Sequence, residues 1–575
     1  MKGSALRFAT AAWVACLLST ASFGAPPPPP PAPTPGQVQS SLPTRSPQPK
    51  PAQAPLSKTP VTPSGVAPGG PTFTVKRFVI EGNTVISTDE LQAQIAGYVG
   101  KSMTLAELYD VADVLTRYYR AKGYGLADVA PPAQKITDGT VRLQVIEGRL
   151  GKITVQGNSR TRSSVLERRA AELKSGDVYT DAAAERAALL MNDIPGENVH
   201  GVLSQGAEFG TSDLLFSATE TGYSGDVSMD DYGRAVLGRW RLNADVYLNS
   251  LTGGGDQLSA GITHSEGNLL NFGKLAYLVP FGTASTLTTS YNRAFYHVGG
   301  LSFGKLGIEG STQNAGLMWQ DAVERTQAQS LYWGLGLSYN NARNITGCCG
   351  TGAPVQDSLT TNILLLELTL LYTHQYEDQS YWTLNGQFWT NGKSNSDGTK
   401  KNAEKAHVEV DASWVKPFAD VWSFVGQGAV AYSPDTLVDS DKYSLGGPGS
   451  VRGFQSAEAR GDRGVFGSAE LQREMNMGSK FPLAWGVFFD TGKVWTKAVG
   501  LASGTSTSLS SVGTELQLLP SSTGWTSRLQ FAWAVGGTRP SDDVTVVEAA
   551  SPANSTNPVR HDRGPHIWFT LAKAF

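Results

Sequence analysis

Cysteine is nearly absent. Only three occur in 575 residues, which excludes a disulfide framework and any cysteine-rich metal site. Cys16 lies in the N-terminal apolar stretch, and Cys348 and Cys349 are adjacent between Gly347 and Gly350, read as a loop without function rather than a strained vicinal disulfide. Long apolar runs are missing too: beyond residue 24 none reaches the roughly 18 residues a transmembrane helix requires. A formal net charge of -3 offers no polyanion surface, so nucleic acid is dropped as a partner. No His-Glu-x-x-His or Gly-x-x-x-x-Gly-Lys-Ser/Thr pattern occurs, so neither a metal nor a nucleotide has a recognisable site. Gly300-Leu301-Ser302-Phe303-Gly304 has the spacing of a nucleophile elbow, but Lys305 to Gly310 lacks the helical face that the motif needs. No catalytic, cofactor-binding or metal-binding residue is assigned, and the chain is expected not to be an enzyme.

The N-terminus indicates export. Lys2 and Arg7 precede an apolar stretch from Phe8 to Phe23, and Ser22-Phe23-Gly24 supplies small residues for cleavage, so residues 1–24 are expected to be a signal peptide. Lipidation at Cys16 is the alternative, disfavoured by the short apolar run before it and by Trp13. Residues 25–72 hold more than half of the 31 prolines. With few backbone donors and little apolar surface, they are read as an extended linker that excludes an ordinary helix.

Residues 73–148 and 149–221 read as one α+β unit written twice. Phe73 to Ile80 is a strand ending at Gly82-Asn83-Thr84, and Lys152 to Val155 is a strand ending at Gly157-Asn158-Ser159. Ser87 with Glu90, Thr104 with Glu107 and Ser164 with Glu167 have capping-box spacing. Leu108, Val111, Val114, Leu115 and Tyr118 form an apolar helix face, and Ala182 to Met191 is a second-copy helix ended by Pro195-Gly196. The copies close with strands at Thr140 to Glu147 and Leu214 to Glu220.

From Gly222 to Phe575 the helical period disappears and a period of two replaces it. Leu242, Ala244, Val246 and Leu248 alternate with Asn243, Asp245, Tyr247 and Asn249; Val408 and Val410 alternate with His407, Glu409 and Asp411. About 350 residues at 9 to 11 per strand plus a turn give about 16 strands, a sheet that is stable only when closed. Met477-Gly478-Ser479 reads as a short turn and Thr390 to Asn402 as a long loop. The expected fold is therefore two small α+β domains followed by an all-β transmembrane barrel of about 16 antiparallel strands over residues 222–575.

Two motifs occur in order behind the repeats. Gly446-Gly447-Pro448-Gly449-Ser450 leads into Val451, Arg452, Gly453 and Phe454, and a later strand carries Phe488, Asp490 and Gly492 as Phe-x-Asp-x-Gly. Asp231-Tyr232-Gly233 with Gly238, then Gly255-Asp256-Gln257-Leu258, add a first-hairpin signature. From about Phe73 to Phe575 the chain resembles the two-partner-secretion transporters, the hemolysin-activation and filamentous-hemagglutinin secretion group, whose superfamily includes the barrel-assembly insertases. The resemblance implies that the repeats are periplasmic POTRA domains that capture an exported partner protein, typically a large β-helical exoprotein. It implies a barrel among outer-membrane lipids, inserted by barrel-assembly machinery that reads the C-terminal strand ending at Phe575, and passage of the partner to the cell surface. The alternative is an insertase for other outer-membrane proteins. A lumen loop bearing Val451, Arg452, Gly453 and Phe454 would meet Phe488, Asp490 and Gly492 in the wall, Arg452 pairing with Asp490. Some members plug the pore with an N-terminal helix, for which the Pro-rich stretch offers no candidate.

Overall fold

A computed structural model describes Val38, Leu56–Ser57 and residues 70–136, 138–299, 307–347, 356–396, 405–475, 480–497, 504–537 and 565–575. The signal-peptide stretch, Gly300 to Gly304, Cys348 with Cys349 and the turn at Met477 to Ser479 lie outside the described residues.

The first described strand is Leu56–Ser57 (β1), inside the linker. The first repeat then contains β2 (Phe73–Thr74), β3 (Arg77–Glu81), α1 (Thr88–Ile95), β4 (Ser102–Met103), α2 (Leu105–Ala121), β5 (Asp128–Ala130) and β6 (Thr140–Ile146). Its sheet has the order β3-β6-β5, with β3 parallel and β5 antiparallel to β6. Ser87 accepts from the Glu90 N–H, and Thr104 with Glu107 forms a full capping box. Leu91, Ile95, Leu108, Val111, Leu115 and Tyr119 then pack on Phe78, Ile80, Val141 and Leu143. Tyr119, rather than the expected Tyr118, takes the innermost place; the Tyr118 hydroxyl donates to Glu90.

The second repeat contains β7 (Arg149–Gln156), α3 (Ser163–Arg169), α4 (Asp181–Asn192), β8 (Glu197–Gln205) and β9 (Thr211–Glu220). Its sheet order is β1-β8-β9-β7. Ser164 does not open α3. The helix begins one residue earlier with Arg162 at the N-cap, and it has no side-chain cap because a guanidinium offers no acceptor; the Ser163 hydroxyl accepts from Asn158 Nδ2 at 3.0 Å. In both repeats a glutamate at the end of the closing strand locks the turn after the opening strand. Glu147 accepts from the N–H groups of Thr84 and Val85, and Glu220 from those of Ser159, Arg160 and Thr161.

The barrel has sixteen strands, from Tyr223–Asp230 to His566–Ala574, and closes by antiparallel pairing of first and last. Strands run from 8 residues at Tyr223–Asp230 to 20 at Gln356–Gln375, so the longest exceed the 9 to 11 that a membrane needs. This corrects the expected loop at Thr390 to Asn402: Tyr381–Ser396 carries the strand through Thr390, with Asn391 opposite Lys405, and residues 397–404 lie outside the described set. Polar Asn and Ser suit this stretch because ladder bonds use the backbone. The alternation is turned inside out relative to a soluble sheet. Leu242, Ile262, Leu275, Leu337 and Val408 face outward and exposed, whereas Arg241, Asn243, Thr263 and His407 are buried on the inner wall. Such a surface is stable in lipid and not in water. Among the described residues no helix is long and apolar enough to cross a membrane.

Val38 corrects the exclusion of helix from the linker. It is helical and wholly buried among Leu237, Leu270, Ala294 and Tyr296 of the inner wall. The window from Gly36 to Leu42 has no proline, so its composition does not forbid a helical residue at Val38.

One carboxyl in the second repeat gives a test. Burial pushes Glu197 up to about 7; a hydrogen bond from Thr161 opposes this, and Glu220 opposite it raises it further. Burial also acts upward on Glu220, but the N–H groups of residues 159–161 outweigh it and hold it at about 2. The folded value of Glu197 lies above the unfolded one of about 4.3, so its stabilising contribution is full below that pH and lost as pH rises through 7. Glu197→Gln should therefore slow amide exchange in β8 and β9 at pH 8 and leave it unchanged at pH 4. An equal effect at both would show that charge is not the cause.

Candidate functional site: an arginine-anchored loop in the barrel lumen

The chain between strands Trp422–Tyr432 and Arg463–Met475 does not extend away from the barrel. Its stem is a short hairpin in which Tyr443–Leu445 pairs with Ala459–Gly461. Gly446 and Gly447 adopt φ of +101° and +105°, a conformation that side chains rarely allow, and this turns the tip inward. Val451 and Phe454 are wholly buried with Leu445, Tyr443, Val494 and Leu509, so the tip carries a small apolar core against the wall.

Arg452 projects from that tip into the wall. Its Nε and Nη2 donate to the two oxygens of Asp490 at 2.9 and 2.7 Å, and its own backbone N–H donates to Asp490 Oδ2 at 3.1 Å. Nη1 donates to Glu470 at 2.8 Å and Glu515 at 3.2 Å. The guanidinium lies 3.2 Å from the centroid of the Phe488 ring. Asp490 is fully buried and Arg452 is 6% exposed, so this is a dry pair rather than one facing water. Ser468 and Ser511, directly opposite Asp490 on the two neighbouring strands, also donate to it at 2.8 and 3.1 Å. With Nη2 also donating to Ser468 at 3.2 Å, all five guanidinium N–H groups have acceptors, the condition under which a buried ion pair is tolerated.

The glycines are explained by close approach. A Cβ on Gly453 would stand 2.7 Å from Ser511 Cβ and 2.9 Å from the Ala534 backbone N, so only glycine lets the tip reach the wall. A Cβ on Gly492 would meet Leu445 at 2.8 Å, so that glycine seats the hairpin stem. The structure therefore brings Val451, Arg452, Gly453, Phe454, Phe488, Asp490 and Gly492 into one cluster. Sequence reasoning missed Glu470, Glu515, Ser468, Ser511 and Trp568. Trp568, in the last strand, donates from Nε1 to the Arg452 carbonyl at 2.7 Å. Ser456 donates to the Tyr232 carbonyl just beyond the first strand at 3.0 Å, so the tip touches both sides of the closing seam.

The first-hairpin signature has structural roles. Asp231 accepts the Phe569 N–H at 2.7 Å across the seam. Asp256 gathers Thr252 and Tyr277 in the turn facing the second repeat. That repeat is fixed on the barrel rim: Arg325 holds Asp193 with both Nε and Nη2, Tyr332 donates to Asp193 at 2.9 Å, and Arg186 donates to the Ala322 carbonyl at 3.0 Å.

A closed sixteen-strand barrel with a lipid-suited exterior, two α+β repeats and a loop held in its lumen defines an outer-membrane transporter with periplasmic POTRA domains. Residues 210–517 match the family described as haemolysin secretion/activation protein ShlB/FhaC/HecB, and the chain belongs to it. Residues 73–148 match the ShlB-type POTRA domain. This is a family of transporters and not of enzymes. The heme/hemopexin transporter protein HuxB of Haemophilus influenzae (strain 86-028NP) is 26% identical over 456 residues, 76% of this chain and 78% of that one. The outer membrane transporter CdiB of Dickeya dadantii (strain 3937) is 25% identical, over 70% of this chain and 72% of its own. The solved structure of CdiB from Escherichia coli shares the fold, with a TM-score of 0.68 at 20% identity, covering 91% of this chain and 94% of that one.

Arg452→Ala would leave three carboxylates facing a cavity, and breaking such a buried pair costs about 3 to 5 kcal/mol. The loop should detach while the barrel ladder persists. Arg452→Lys should rescue poorly because an ammonium cannot reproduce the planar fork. Gly453→Ala should free the tip without changing any charge. Limited proteolysis of the folded barrel at residues 446–458 reads this directly: all three variants should be cut faster than the parent, and unchanged protection in Gly453→Ala would contradict the close-approach account.

Proposed function

We propose that this chain captures an exported partner protein at its POTRA domains and passes it, extended, through the barrel to the cell surface, as in two-partner secretion. The partner is a large β-helical exoprotein, and no bond in it is made or broken during transit. The observation that carries this reading is the docking of the second POTRA domain on the barrel rim through Asp193 and Arg325, which makes capture surface and lumen one continuous body. The lumen suits a polypeptide backbone. A cavity of about 880 Å³ is lined by Asp245, Lys274, Glu409 and Asp411 of the wall together with Gly447 and Ser456 of the loop. Since the loop tip shares that space, transit of a chain requires the tip to move. Outer-membrane lipids contact the outward Leu, Ile and Val side chains, and barrel-assembly machinery reads the last strand ending at Phe575. The insertase alternative has no observation in its favour beyond the shared barrel.

The test is removal of residues 73–148 with the barrel left intact, in cells that also express a large β-helical exoprotein whose surface export depends on this chain. Export should fall at least tenfold while the shortened protein still migrates differently when unheated and boiled, as a closed barrel does. Undiminished export would place recognition outside the first POTRA domain.

A further inference from the structure

The outward face of the barrel changes character toward the rim opposite the POTRA domains. On strands Leu483–Thr496 and Thr505–Leu518 the outward Val487, Phe489 and Val512 are exposed and apolar, as a lipid-facing belt requires. Beyond them the outward pairs become Thr491 with Ser510, Lys493 with Ser508 and Trp495 with Ser506, and Arg463 of the preceding strand stands opposite Trp495. The Arg463 guanidinium lies 4.6 Å from the centroid of the exposed Tyr432 ring, and the Lys493 ammonium 5.4 Å from that of the exposed Trp495 ring. Arg463 spends its Nε on the Ser433 carbonyl at 3.1 Å, and among the described residues no carboxylate lies within ion-pair distance of either cation. Cations on the inner wall and the loop are treated differently: Arg241 is answered by Asp230, Lys274 by Asp245 and Arg460 by Asp439. Arg463 and Lys493 are diagonal neighbours, about 7 to 8 Å apart at Cα, so an anion seated between them would relieve their mutual repulsion. The hydroxyls of Ser506 and Ser508 likewise make no hydrogen bond among the described residues, whereas Thr491 and Ser510 bond each other at 2.9 Å.

We propose that this outward patch binds the phosphate-bearing headgroup of an outer-leaflet glycolipid, with the phosphate between Arg463 and Lys493 and the sugar hydroxyls on the strip formed by Ser506, Ser508 and Ser510. The position selects a lipid, because the apolar belt begins directly below the cations and its acyl-chain level is continuous with Phe489 and Val512. Tyr432 and Trp495 stand where aromatic side chains meet headgroups. The charge selects an anion, and a guanidinium beside an ammonium gives a phosphate charge-assisted bonds from two directions. The serine strip selects a sugar over a bare phosphodiester, since it offers a row of unspent hydroxyls beyond the cations. The site also has a place in the architecture. Strands Arg463–Met475, Leu483–Thr496 and Thr505–Leu518 carry Glu470, Asp490 and Glu515 on their inner faces, so a lipid seated here spans from outside the three strands that hold Arg452 from inside.

Native mass spectrometry of the full chain, released from detergent micelles to which diphosphoryl lipid A has been added, reads this binding directly. The parent should retain lipid A, and Arg463→Gln combined with Lys493→Gln should weaken retention by about tenfold or more. Lys493→Arg keeps the charge and should bind as the parent does. Lys416→Gln, at the opposite rim where the ammonium already has Asp378 at 3.9 Å, should also leave binding unchanged. Dephosphorylated lipid A should bind the parent about tenfold more weakly or worse, which isolates the phosphate, and so should phosphatidylglycerol, which carries a phosphate without the sugar. Each variant should still migrate differently when unheated and boiled, so that lost binding is not lost fold. If the double variant does not close, Lys493→Gln alone carries the test and should weaken retention by a smaller factor. Lipid A held equally by the parent and by the folded cation variants would overturn the proposal, as would equal retention of the dephosphorylated lipid or of phosphatidylglycerol.

Discussion

A guanidinium cannot shed its proton at any ordinary pH, so burying Arg452 commits the surrounding wall to answering its charge. Asp490 answers with both oxygens, Glu470 and Glu515 take the remaining fork, and Phe488 lies against its face. Those acceptors come from three neighbouring strands, and Trp568 of the last strand grips the Arg452 carbonyl. One side chain thus fixes the register of the tip against nearly a quarter of the barrel. The same arrangement explains why the tip needs glycine at 453 and why the wall needs glycine at 492. A loop held this way can leave the wall only by giving up these contacts together.

The rest of the molecule is arranged around that seated loop. The second POTRA domain is clamped to the rim by Asp193, the linker returns to its β8 edge, and Val38 packs on the inner wall. These three contacts tie covalently distant segments to the barrel or to the domain docked on it. Each is local, one an ion pair, one a strand edge and one an apolar contact, whereas the sixteen-strand ladder cannot open without losing many bonds at once. Division of labour follows: the barrel supplies permanence, and these few local contacts position the loop and the docked domain.

Much of this was legible in the sequence because the deciding signals are local. The period of two in Leu242 to Leu248 is set by pleat geometry, and the caps at Ser87 and Thr104 need only residues three apart. The pair Arg452 and Asp490 was legible through two motifs in the right order. What escaped depends on pairing across strands. Glu470 and Glu515 lie on strands flanking Asp490, and only register makes them neighbours of Arg452. Their signal was an acidic residue of inward parity on each adjacent strand. β8 was missed because Glu197 to Gln205 is polar and half-buried, with little in it but Val199, Val202 and Leu203 to announce a strand. The helical place of Val38 was missed because composition was averaged over residues 25–72, and the proline-free window from Gly36 to Leu42 vanishes in the mean.

The central claim is that Arg452 and Asp490 act as one unit that positions the loop. Single-channel conductance and exoprotein export for Arg452→Ala, Asp490→Ala and the double variant test it together. The account predicts a double variant no worse than the more defective single one, with export lost while the barrel still conducts. Defects that multiply, or near-parental export in Arg452→Ala, would contradict it.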